Sequence, residues 1–125
     1  MDNNFPHDES LYRAINPANG FWKADGSLSS AAFKISKNKD NGLSVDRGNF
    51  RTDDDVVNDM KHRLEGSIVK FSVDDCLSIN ARVQYDPNEE DIYHSLVLGK
   101  EKISLSNGQA RRLRDRIETV YNELG

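Results

Sequence analysis

Apolar residues in this chain switch between two periodicities, and the order of the switches restricts the fold more than any single motif does. A period of two runs through 67–73, where Val69, Phe71 and Val73 alternate with Lys70 and Ser72, and through 92–98, where Ile92, His94, Leu96 and Leu98 share one face. Helical spacing appears twice. Thr52 caps the first helix, Asp53, Asp54 and Asp55 complement its positive end, Val56, Val57, Met60 and Leu64 form its buried face, and Gly66 closes it in a left-handed conformation. Ser106 and Gln109 form a capping box for the second, whose apolar positions are Ala110, Leu113, Ile117, Val120, Tyr121 and Leu124.

Shorter pieces fill the intervals. Leu11, Arg13 and Ile15 share one face of a short strand that stops at Asn16-Pro17, because the residue before proline is pushed out of the helical region. Asn19-Gly20 and Asp25-Gly26 are turn signals flanking Phe21-Trp22-Lys23, 29–35 is a short ordered piece, 37–42 is a mobile surface turn, and Leu43-Ser44-Val45 is a brief strand. After 67–73, Asp74 or Asp75 caps a helical turn before a strand over 81–85, with an unbroken strand from Leu77 to Tyr85 as the alternative. This order predicts an α+β fold, a small antiparallel or mixed sheet with two main helices packed on one face. At 125 residues one core is expected, with 1–9 a flexible N-terminal segment held at most by Phe5, and 10–125 a single domain.

Composition narrows the setting. A single cysteine, Cys76, rules out an internal disulfide and suits a reducing compartment, and Asp74 and Asp75 beside it disfavour a reactive thiolate. No basic, apolar leader and no run of about 18 apolar residues is present, so a cytoplasmic protein without a membrane segment is expected. A net charge of −4 and a pI near 5.3 disfavour coating of nucleic acid by the overall field. His7, His62 and His94 are too scattered to form a metal site, and no cofactor motif is present.

Candidate chemistry gathers in two places. Ser29, Ser30 and Phe33 lie in a small-residue block, and Ser44, Asp46 and Arg47 emerge from the strand after it. Hydroxyls on tight backbone together with a guanidinium suit a small anionic ligand, and the plain alternative is that the hydroxyls satisfy turn backbone while Asp46 pairs with Arg47 or a lysine. His94 on an inward strand face, with Arg13 or Arg47 to stabilise phosphate charge, is the basis for a metal-independent acid/base site. A triad of Ser30, His94 and Asp46 lacks the glycine pattern of a nucleophile elbow. The second place is the last helix, where Arg111, Arg112, Arg114 and Arg116 follow Lys100 and Lys102. They form a nucleic-acid or partner surface or, more plainly, a solvated face with the pairs Arg111–Asp115 and Arg114–Glu118.

Arg13 and Pro17, Asp25-Gly26, Ser30-Ala31-Ala32-Phe33, Leu43-Ser44-Val45, Asp86-Pro87 and His94 together resemble the pattern of an uncharacterised family of short bacterial proteins, over residues 11–99. Ala31 departs from the glutamine frequent in that pattern. The resemblance implies a bacterial or phage-related origin and groups Arg13, Ser30, Phe33, Ser44 and His94. The function expected is a binding or interaction module for a protein partner or small anionic ligand. A metal-independent enzyme acting on RNA or a nucleotide comes second, and nucleic-acid binding ranks below both.

Overall fold

Side chains at consecutive positions of Leu11-Tyr12 and Ile68-Val69 are all buried, so these strands must be covered on both faces. The computed structural model describes residues 1–34 and 42–123. Its elements run in the order β1 (Ser10–Ile15), β2 (Leu43–Arg47), α1 (Asp53–Arg63), β3 (Ser67–Ser72), α2 (Val73–Ser78), β4 (Arg82–Tyr85), β5 (His94–Leu98), α3 (Asn107–Arg114) and β6 (Glu118–Tyr121), with short 3-10 turns at Pro17–Asn19 and Ser30–Phe33. The strands form one six-stranded sheet in the order β4-β5-β2-β1-β3-β6, and every neighbouring pair is antiparallel. Most of the 37–42 turn and the end of the 29–35 piece lie outside the described residues.

The helices do not share a face. Leu11 and Ile15 of β1 and Val69 and Phe71 of β3 pack with Ala32, Phe33, Cys76, Ala110 and Leu113, which places the Ser30–Phe33 turn, α2 and α3 on one side. Tyr12 and Ile68, one residue out of phase, pack with Val56, Val57 and Met60 of α1. Alternate strand residues point to opposite faces, so α1 lies across the sheet from α3. The expectation of two helices on one face overlooked that β1 and β3 are apolar at both parities.

Several boundaries move for local reasons. Thr52 Oγ1 accepts from the Asp55 amide as expected of a cap, but α1 ends at Arg63, leaving Leu64 exposed. Gly66 serves close approach instead of helix closure: at φ +120°, a Cβ there would lie 2.5 Å from the Ile15 carbonyl carbon. Ser72, not Asp74, caps α2, with Asp75 completing the capping box. Ile92 precedes β5 and is exposed. The last helix stops after eight residues, and Glu118–Tyr121 turns into an edge strand on β3. Thr119, Val120 and Tyr121 are good strand formers, and the free edge of β3 outweighs their helical spacing.

Within residues 1–9, Glu9 is buried and forks onto Arg47, Nε to Oε2 at 2.7 Å and Nη2 to Oε1 at 2.9 Å. Arg47 Nη1 also donates to the Asp2 carbonyl, and its guanidinium carbon sits 3.9 Å over the Phe5 ring and 5.2 Å from that of Tyr85. A buried guanidinium requires this degree of satisfaction.

Candidate functional site

The central feature is a fork in the sheet. β1 and β2 pair only at Leu11 with Arg47 and Tyr12 with Asp46, after which β1 continues along β3 and β2 continues along β5. Arg13 bridges the opening, its Nε donating to the Ala32 carbonyl at 3.0 Å and Nη1 to the Ser44 carbonyl at 2.8 Å. One charged side chain thus satisfies backbone groups that the ladder leaves unpaired. On the α1 side of the fork lies a cleft of about 700 Å3, walled by β1, β2, His94, the C-terminal end of α1 and residues of the 88–91 loop.

At the cleft's base Asp46 projects toward α1 and is almost fully buried. Arg63 Nη2 contacts its Oδ2 at 2.6 Å, and the same guanidinium reaches Asp59 at 3.0 Å and the buried Asp91 at 3.5 Å. One cation therefore serves three carboxylates. Burial, then the hydrogen bond and repulsion from Asp91, push the Asp46 carboxyl up to about 7, with Arg63 pulling the other way. Asp46 is accordingly poised between its protonated and charged forms near neutral pH. Burial works against the Arg63 charge, but Asp59 and Asp46 outweigh it and raise its pKa.

His94 is the cross-strand partner of Asp46. Its Nδ1 lies 2.9 Å from the Asp86 carbonyl oxygen and 3.2 Å from Asp86 Oδ2, while Nε2 lies 3.2 Å from Ser44 Oγ. With the proton on Nδ1, Nε2 is an acceptor for the Ser44 hydroxyl.

Four of the residues singled out in the sequence, Arg13, Ser44, Asp46 and His94, line this cleft; Ser29, Ser30, Phe33 and Arg47 do not. Ser29 Oγ caps the Ser30–Phe33 turn by accepting from the Ala31 amide, and Ser30 begins that turn. Phe33 is fully buried and edge-on to Phe71, with ring centroids 6.3 Å apart. Arg47 points to the opposite sheet face, onto Glu9. The four arginines also separate: Arg112 lines a different groove, Arg114 pairs with Asp115 and not Glu118, Arg116 reaches Asp75 at 3.6 Å, and Arg111 is exposed. Asp115 caps the helix and its amide still donates to the Arg111 carbonyl, but its carboxylate turns to Arg114, and Glu118 lies beyond the helix in β6.

Sequence reasoning missed Arg63, Asp91 and Asp86. A signal existed for the first two: Asp46 follows inward-facing residues on a buried strand, and a carboxylate there demands a cation from a facing element. Cys76 is fully buried, and burial with Asp75 pushes its thiol up to about 12. Among the described residues, no group of three or more His, Cys, Asp or Glu side chains is placed to hold a metal ion, and no helix is long and apolar enough to cross a membrane. No protein-family model, curated protein or solved structure matches the chain.

Proposed function

We propose that the chain is a binding module of the bacterial cytoplasm whose fork cleft receives the amine or guanidinium end of a ligand. The observation that carries this reading is the buried carboxyl pair of Asp46 and Asp91 at the base of the cleft. Glu65 and Glu90 add carboxylates to the wall, whereas Arg63 is engaged by Asp46, Asp59 and Asp91, and Arg13 by two backbone carbonyls. A donor-bearing ligand fits that balance better than the anion suggested by the sequence. The single buried thiol suits a reducing compartment. Spermidine and arginine amide are suitable probes, with NMR shifts followed at Ser44, Asp46 and His94. Binding should strengthen as pH rises from 6 to 8 and Asp46 loses its proton, and weaken in Asp46→Asn. Absence of shifts at these three residues with both probes would refute the reading.

A second reading rests on the Ser44–His94–Asp86 contacts, since a hydroxyl, an imidazole and a carboxylate in that order can move a proton. Here the chain is a metal-independent enzyme acting on RNA or a nucleotide, with His94 as acid/base. It ranks second because Arg13 already directs donors to carbonyls and Arg47 lies on the other face. Turnover lost in His94→Ala with the fold retained supports it; equal activity in both proteins rejects it.

A further inference from the structure

On the sheet face opposite the fork cleft, a groove of about 610 Å3 runs between the 99–105 segment, the start of α3 and Asn80. Among the described residues four cations line it, Lys34, Lys100, Lys102 and Arg112, against one carboxylate, Glu101. In a chain with net charge −4 this is a local inversion of sign. Among the described residues, Lys100, Lys102 and Arg112 are exposed and enter none of the ion pairs. Cations left in this state usually repel one another, and an anion between them relieves that repulsion.

The segment that presents the two lysines is held in shape. The Gly99 amide donates to the Ile103 carbonyl, a Cβ at Gly99 would lie 2.3 Å from the Ser104 carbonyl oxygen, and Arg82 Nε fastens the Gly99 carbonyl at 2.9 Å. Lys34 is positioned by donating to the Leu105 carbonyl at 2.7 Å and to Asn107 Oδ1 at 3.2 Å, and an ammonium has a third proton to offer. The start of α3 is not the recognition element. Ser106 Oγ already occupies the Gln109 amide and Gln109 Oε1 the Ser106 amide, so the side-chain cations supply the attraction. Small hydroxyls at Ser104 and Ser106 complete a lining suited to phosphate oxygens.

We infer that this groove binds phosphate groups, taken either from a free polyphosphate such as that of a nucleotide or from the backbone of a single nucleic-acid strand. The inference is independent of the fork cleft, and of the four helix arginines it needs only Arg112.

The full chain is titrated at low salt with inorganic pyrophosphate, with ATP and with a fluorescently labelled 12-residue oligouridylate, following amide shifts at Ser104, Ser106 and Arg112 together with anisotropy. The expected result is binding with shifts at those residues, weakened about tenfold in Lys100→Gln/Lys102→Gln and again in Arg112→Gln, and unchanged in Arg114→Gln. For the oligonucleotide, neutralising about three charges predicts a slope near −2 of log K against log salt, reduced by roughly two-thirds in the lysine double variant. Oligonucleotide binding tighter than pyrophosphate assigns the strand, and equal or weaker binding assigns the free polyphosphate. Thermal unfolding of each variant controls for loss of fold; the lysine side chains are exposed, so their melting temperatures should match wild type. No binding of any probe overturns the inference, as does binding that the double variant leaves unchanged.

Discussion

Replacing Asp46 by asparagine should remove a specific pH dependence of stability. In the folded protein the Asp46 carboxyl titrates at about 7, against an ordinary value of 3.8 that serves for the unfolded chain. Between these values the native state holds a proton that the unfolded state has already lost, so stability falls as pH rises through the window and levels off above about 7. From pH 5 to pH 8 the loss is close to two pH units' worth of one proton, or roughly 2–3 kcal/mol at about 1.4 kcal/mol per unit. For a domain of this size that corresponds to a difference on the order of 10 °C in melting temperature. The substituted amide keeps the shape of the carboxyl and can still donate to Asp91, while Arg63 retains Asp59 and Asp91. The three histidines are common to both proteins and drop out of the comparison. Urea titrations at pH 5, 6, 7 and 8 give the test: wild type should lose stability relative to Asp46→Asn by the stated amount. Parallel curves would show that Asp46 carries no elevated pKa.

Other consequences are simpler to measure. Glu9→Ala leaves the Arg47 guanidinium buried without its carboxylate and should cost about 3–5 kcal/mol in urea denaturation, with Glu9→Gln milder. Gly66→Ala forces a side chain into the Ile15 carbonyl at a positive φ and should cost at least about 2 kcal/mol, read as a shifted denaturation midpoint at unchanged slope. Phe33→Ala should lose about 3–5 kcal/mol as a core truncation, while spermidine shifts in the fork cleft, measured below the lowered melting temperature, stay as in wild type.

What the sequence reveals depends on how local the determining interaction is. Thr52 and the Ser106–Gln109 box announce helix starts because a cap is settled within a single turn. The end of the last helix is not visible in the same way, since Thr119 pairs with Val69 of β3, far back in the chain. The cleft shows the same division. Arg13, Ser44, Asp46 and His94 stand out as polar residues in strand patterns, and the sheet brings them together. Ser29 and Ser30 look equally suggestive by composition, but the Ser29 hydroxyl is taken by the neighbouring Ala31 amide. Arg63 reads as an ordinary last-turn cation and Asp91 as one charge in an acidic loop, and only the crossing of α1 over the fork makes them partners of Asp46.

The position of β1 has a consequence for how the chain reaches this structure. It precedes every other strand in sequence and yet stands between β2 and β3, with Leu11 facing Arg47 on one side and Phe71 on the other. During synthesis the ladder of β1 with β3 must therefore wait until Phe71 has been made. Such distant pairing carries a loop-closure cost before any contact rewards it, which places folding toward the millisecond-to-second range of sheet proteins and leaves an apolar strand uncovered meanwhile. The step that joins β1 to β3 is thus the natural point for aggregation to compete with folding.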